Sequence, residues 1–68
     1  MSRLDDRVRL IVMTGYAPML PQDVYNDVVR NPAFSDVSLI AVKQSLNRLV
    51  KKGILSSKQY YFFERRIK

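Results

Sequence analysis

The sequence predicts one mainly helical α+β domain, in which three helices precede a small β-hairpin. Three stretches with helical periodicity and flanking cap or stop residues predict the helices, and two β-favouring runs around a polar segment predict the hairpin. The chain has 68 residues, of which 47% are hydrophobic, so it is globular rather than disordered. We therefore expect a single domain with a small core.

The first helix is expected over about residues 3–14. Ser2 is a suitable N-cap, and Asp5 stands three residues later, where the acid of a capping box lies. Apolar residues then recur at the spacing of one helix face: Leu4, Val8, Ile11 and Val12. Gly15 follows as a natural stop.

The second helix is expected over about residues 21–30, after a short extended link. Pro21 suits the first helical position, and Asp23 suits the positive end of the helix dipole. Its apolar face consists of Val24, Tyr25, Val28 and Val29. Residues 31–37 are expected to form a turn whose Phe34 and Val37 plug the core.

The third helix is expected over about residues 39–52, with Ser38 as its N-cap and Gly53 as its stop. Apolar residues fill an arc about 100° wide on one side, as a core-facing helix requires. These residues are Leu39, Val42, Leu46, Leu49 and Val50. The opposite side contains no acid and consists of Ile40, Lys43, Gln44, Asn47, Arg48 and Lys51.

A hairpin is expected after the third helix. Residues 54–55 and 60–63 favour β-structure, and the polar residues 56–59 between them favour a turn. We expect most aromatic residues of the second run to complete the core rather than to stack on nucleic-acid bases.

Charge is distributed unevenly along the chain, which carries a net charge of +6. Residues 1–36 hold four basic and five acidic residues and have a net charge of −1. Residues 37–68 hold eight basic residues and one acidic residue and have a net charge of +7. A small basic domain typically binds a polyanion, and the second half of the chain is where we expect the contact.

The composition also excludes several functions. Without cysteine or histidine the chain lacks a thiolate nucleophile, the usual metal ligands and the usual neutral-pH base, so we expect no enzyme, metal or cofactor. The carboxylates of Asp23 and Asp27 are attributed to helix-end electrostatics rather than to a metal site. The longest apolar run has four residues, so neither a membrane span nor a signal peptide is expected.

A short pattern spans the third helix and the strand after it. It combines a serine cap, a small residue beside a β-branched one, two leucines and a Lys-Gly-Ile-Leu stop. The residues are Ser38, Ala41, Val42, Leu46, Leu49 and Lys52 to Leu55. Residues 38–55 thus resemble the recognition helix and first wing strand of winged helix-turn-helix domains. The chain departs from that family in its longer turn at residues 31–37 and its short wing turn.

The resemblance implies that residues 1–68 form a single winged-helix domain. It implies sequence-specific binding of double-stranded DNA by a small stand-alone transcriptional regulator, of a type also found in phages, plasmids and other mobile elements. Helix 39–52 would enter the major groove, and the wing at residues 55–61 would lie on the DNA backbone. Such a regulator is expected in the cytoplasm, at the nucleoid or, for a viral protein, in the host cytoplasm.

The side chains opposite the apolar arc suit this task. Gln44 and Asn47 can each form a bidentate pair with adenine, and Ile40 suits a thymine methyl group. The phosphate contacts are expected from Ser38, Lys43, Arg48, Lys51 and Lys58. Guanine is an alternative target for Arg48. For Ile40, packing beneath Phe34 and burial against a partner protein are alternatives.

Two apolar residues lie off the main stripe of the first helix. Leu10 and Met13 favour either a homodimer contact or burial under the C-terminal strand. A DNA-binding domain of this size typically acts as a symmetric pair. Together with Ile40, these residues also favour an alternative function, a winged-helix interaction module that inhibits or adapts host machinery by binding an acidic protein surface. The charge alone does not distinguish DNA from RNA.

Overall fold

A computed structural model of the chain describes residues 3–15, 18–58 and 61–64, and of residues 63 and 64 it describes the backbone. Three helices and an antiparallel hairpin follow one another, as predicted, which confirms the mainly helical α+β class with a wing. The helices are α1 (Arg3–Thr14), α2 (Pro21–Val29) and α3 (Leu39–Lys51), with a short 3-10 helix (Pro32–Phe34) before α3. The strands are β1 (Leu55–Lys58) and β2 (Tyr61–Glu64).

The core lies where the three helices meet the hairpin. All three helices contribute fully buried side chains: Val8, Val24, Val28, Val42, Leu46 and Leu49. Leu55 of β1 and Phe62 of β2 close the same cluster, while Phe34 packs against its edge and is partly buried. Burying a Val or Leu side chain contributes about 1.5–3 kcal/mol, so the three buried side chains of α3 fix which side of that helix faces outward.

Both ends of α3 are capped by the residues that the sequence predicted. The Ser38 hydroxyl accepts a hydrogen bond from the Ala41 amide at 3.1 Å. At the other end Gly53 has a φ of 75°, which a residue without a Cβ adopts at little cost. The amide of Gly53 donates to the Val50 carbonyl and that of Ile54 to the Leu49 carbonyl, as in a Schellman motif. This cap turns the chain from α3 directly into β1.

The start of α2 also follows its sequence signals. Pro21 occupies the first helical position, and the Asp23 carboxylate accepts a hydrogen bond from the Leu20 amide at 3.2 Å. The helix ends at Val29, with Arg30 as its C-cap.

The turn before α3 contains regular structure that the sequence analysis did not anticipate. The Asn31 side-chain oxygen accepts from the Ala33 amide at 3.0 Å, and Pro32 begins the 3-10 helix. Asparagine as a cap followed by proline is a helix-start signal, which is the clue that was available in the sequence.

The pairing of the two hairpin strands extends further toward the turn than the sequence predicted. Residues 56–58 were predicted in the turn, but they belong to β1, where Ser57 pairs with Phe62 and Lys58 with Tyr61. Pairing with the aromatic strand outweighs the low β-propensity of the polar residues, whose side chains face solvent at Ser57 and Lys58. Of the aromatic run, Phe62 is buried and Tyr61 is exposed, while residue 60 and the side chain of residue 63 lie outside the description.

A further strand-like contact joins the link after α1 to the hairpin. Met19 and Phe62 form an antiparallel bridge, in which each amide donates to the other's carbonyl at 2.8 Å. This bridge lies on the side of β2 opposite β1. Within the described ranges, no helix is long and apolar enough to cross a membrane.

Candidate nucleic-acid interface

The outward side of α3 presents the predicted side chains to solvent. We call this set the α3 outer face: Ile40, Lys43, Gln44, Asn47, Arg48 and Lys51, all of which are exposed. They lie opposite the buried Val42, Leu46 and Leu49. The helix contains no acidic residue, so the α3 outer face combines amide and cationic groups without a carboxylate of its own.

Four members of the α3 outer face share one open surface depression. Gln44, Asn47, Arg48 and Lys51 line it together with the partly buried Val50, and its volume is about 580 Å³. Amide groups that donate and accept hydrogen bonds therefore stand beside two cations. This is the chemistry that recognises base edges and neighbouring phosphates.

A buried carboxylate from α1 reaches the edge of this face. Asp5 is only 2% exposed and accepts hydrogen bonds from two residues of α3. The Ser45 hydroxyl donates to its Oδ1 at 2.5 Å. Arg48 donates twice, from Nε to Oδ2 at 3.1 Å and from Nη2 to Oδ1 at 2.7 Å. Asp5 thereby ties α1 to α3 across the packed interface.

Arg48 is consequently held in place by a carboxylate that the sequence analysis did not pair with it. Hydrogen bonding to Asp5 raises the pKa of Arg48, with a weaker Coulombic contribution in the same direction and desolvation opposing both. The guanidinium stays charged, and its side chain remains 46% exposed beside the depression. Part of its hydrogen-bonding capacity is therefore already used inside the protein.

Sequence reasoning missed the contact between Asp5 and α3. The available signal was spacing, since Asp5 precedes Val8 by three residues and Val12 by seven and so lies near the buried side of α1. Ser45 likewise sits beside the apolar stripe of α3 and is fully buried. The expected capping of α1 involves Ser2, which lies outside the described residues.

Ile40 stands out from the surface. Its side chain is 68% exposed, so the predicted alternative of packing beneath Phe34 is wrong. The turn before α3 directs Phe34 toward the core edge, where it packs with the buried cluster. Contact with a thymine methyl or with a partner protein stays a prediction for Ile40.

The remaining predicted phosphate contacts occupy accessible positions. Ser38 is exposed, and its hydroxyl oxygen accepts from the Ala41 amide, which leaves the hydroxyl proton to donate outward. Lys58 is exposed at the end of β1. Ser38 thus lies at the start of α3 and Lys58 at the end of β1, and both side chains are outside the core.

Leu10 and Met13 are exposed on α1, by 43% and 38% respectively. The alternative that the C-terminal strand buries them is therefore wrong. Leu10 lines a second open depression, of about 350 Å³, together with other residues of α1, of α2 and of the α2 C-cap: Arg7, Ile11, Thr14, Asp27 and Arg30. The predicted homodimer contact at these positions stays a prediction.

The acidic residues of α2 have local partners. Asp23 caps the start of its helix, and Asp27 forms an exposed ion pair with Arg30 at 3.3 Å. No group of three potential metal ligands occurs in the part of the chain that the structure describes.

Comparisons with protein-family models, with curated protein sequences and with solved structures find no match to this chain. The fold, three helices followed by a two-stranded antiparallel hairpin, is compatible with a winged helix.

Proposed function

We propose that this chain is a winged-helix DNA-binding protein, a small transcriptional regulator that inserts α3 into the major groove of double-stranded DNA. The α3 outer face carries the proposal, because it presents two amides and three cations without an acid, on a helix whose other side is buried in the core. The major groove is about 12 Å wide, which admits an α-helix with its side chains.

The length of α3 determines how much sequence one protomer can read. The helix has 13 residues and is therefore about 20 Å long at 1.5 Å per residue. At about 3.4 Å per base pair, this length covers roughly six base pairs. Two protomers related by a two-fold axis would read half-sites about 34–36 Å apart, or one helical turn.

The individual roles follow from the side-chain chemistry. Gln44 and Asn47 are suited to bidentate pairs with adenine, and Ile40 to a thymine methyl. The phosphate contacts come from side chains around these three: Ser38, Lys43, Lys51 and the wing residue Lys58. Arg48 is suited either to a phosphate or to guanine.

Selection of bound sequences from a random duplex library, followed by binding titrations at several salt concentrations, tests the proposal. We expect an enriched palindrome. If four cations per protomer each neutralise one phosphate, the affinity falls with a log–log salt slope near −3.6 per protomer. Absence of duplex binding at about 50 mM salt and micromolar protein would refute the proposal.

The exposure of Ile40 favours a second candidate function, an interaction module for an acidic protein surface. An exposed apolar side chain one helical turn from Lys43 is suited to a partner that presents an apolar contact beside a carboxylate. A stoichiometric acidic partner that is retained after nuclease treatment supports this candidate. Loss of all bound material after nuclease treatment contradicts it, and competition between duplex DNA and RNA identifies the nucleic acid.

A further inference from the structure

Building on the proposed function, we infer that Arg48 reads a guanine base rather than a phosphate, and that Asp5 is the positioning residue that aims it. The observation behind this inference is the buried hydrogen-bond network that joins Asp5, Ser45 and Arg48 across α1 and α3. None of the other members of the α3 outer face is held by a side chain from another element among the described residues.

The network fixes the plane of the guanidinium. Two hydrogen bonds, from Nε and from Nη2, meet the two oxygens of one carboxylate, so the Arg48 head cannot rotate about its last bonds without breaking one of them. The carboxylate is itself immobilised, because Asp5 is buried and its Oδ1 also accepts from the buried Ser45 hydroxyl. The conformational entropy of the Arg48 head group is therefore lost during folding, and binding to DNA causes no second loss.

The edge of the Arg48 guanidinium that is not hydrogen-bonded to Asp5 is suited to guanine. A guanidinium has five N–H groups, and Asp5 takes the one on Nε and one of the two on Nη2. The second Nη2 proton and the two on Nη1 make no hydrogen bond with the described residues. One proton from each of these nitrogens points outward in parallel, which matches the O6 and N7 acceptors of guanine in the major groove.

Charge favours a base over a phosphate as the target. Arg48 and Asp5 together carry no net charge, so a phosphate near the pair gains little attraction and also meets the negative charge of Asp5. Hydrogen bonding to the neutral acceptors of guanine depends on the direction of the N–H groups rather than on net charge. Lys43 and Lys51, which have no acidic partner in the described ranges, remain the phosphate contacts of this helix.

Parallel selections from a random duplex library with the wild-type protein and five variants test the inference. Arg48→Lys keeps the charge and removes the planar fork. The double variant Asp5→Asn with Arg48→Gln removes one charge of each sign and so leaves the net charge unchanged. Lys51→Gln is the control for a cation that contacts phosphate. Asp5→Asn tests whether Asp5 positions Arg48. Its control is Asp27→Asn, which changes the net charge by the same amount.

We expect the wild-type protein to prefer guanine at one position of each half-site by about 5- to 150-fold. Arg48→Lys and the double variant lose this preference. The double variant keeps the wild-type salt slope, which lies near −2.7 per protomer because three cations rather than four neutralise phosphates. Lys51→Gln keeps the preference and makes the slope shallower by about 0.9. Asp5→Asn weakens the preference, whereas Asp27→Asn does not.

Two results overturn the inference while leaving DNA binding intact. One is a double variant whose slope becomes shallower by about 0.9, since Arg48 would then neutralise a phosphate. The other is an Arg48→Lys variant with an unchanged guanine preference, which would make the network a purely structural link. Failure of the wild-type protein to bind duplex DNA refutes the proposed function and the inference together. Thermal unfolding of each variant identifies those that are folded, and Arg48→Lys, with its exposed head group, supplies the test if Asp5→Asn unfolds.

Discussion

Replacing Asp5 with alanine is expected to destabilise the protein far more than the loss of an ordinary surface carboxylate. The substitution removes the acceptor of the Ser45 hydroxyl, and Ser45 is fully buried. A buried donor that loses its acceptor lowers the free energy of unfolding by about 1–3 kcal/mol, because no water molecule takes the place of the lost acceptor. The free energy of unfolding of a domain of this size is about 3–10 kcal/mol, so this loss is a large share of the total.

Urea unfolding followed by far-UV circular dichroism measures the effect. Asp27→Ala is the matched control, because it breaks an ion pair whose Arg30 partner is largely exposed and should cost about 0–1 kcal/mol. The double variant of Asp5→Ala with Ser45→Ala should lose less than the sum of the single variants, since neither partner is then left alone. If Asp5→Ala and Asp27→Ala destabilise the protein equally, the buried network does not stabilise the junction of α1 and α3 and the reasoning is refuted.

Three further substitutions test the caps and the exposed isoleucine. Ser38→Ala removes the acceptor of the Ala41 amide and should lower the free energy of unfolding by about 1 kcal/mol; an unchanged urea midpoint would contradict the capping role. Gly53→Ala places a Cβ at a φ of 75° and should cost about 1–2 kcal/mol, seen as a fall of roughly 4–8 °C in Tm per kcal/mol. Ile40→Asn should leave stability within about 0.5 kcal/mol, because the side chain is exposed, while weakening binding to the true partner. A marked fall in Tm for Ile40→Asn would show that this residue packs within the protein.

The helices were predictable because their signals are local. The apolar spacing of Val42, Leu46 and Leu49, with serine before them and glycine after, fixes both the limits of α3 and its outward side. These features require only the geometry of one helix. The chemical character of the candidate site therefore follows from the sequence of α3 alone.

The features that escaped prediction depend on residues distant in sequence. Asp5 is adjacent to Arg48 only because α1 packs on α3, and Met19 pairs with Phe62 only because the hairpin folds back beside the link. Local periodicity places Asp5 near the buried side of α1, but it identifies neither the partner of Asp5 in α3 nor that of Met19 in the hairpin. The strand limits at residues 56–58 were missed for a related reason, since pairing with the aromatic strand overrides the intrinsic preference of Ser57 and Lys58.

The bridge between Met19 and Phe62 has a consequence for how the chain folds. It fastens the segment that leaves α1 to the second strand of the hairpin, while the hydrogen bonds from Arg48 to Asp5 fasten the first turns of the same helix. Both contacts span more than half of the sequence, so the links that hold this part of the chain to α3 and to β2 can form only after residues 48 and 62 have been synthesised. During translation, the segment after α1 should thus lack its link to the hairpin until residue 62 has left the ribosome, after which we expect the domain to form in one cooperative event.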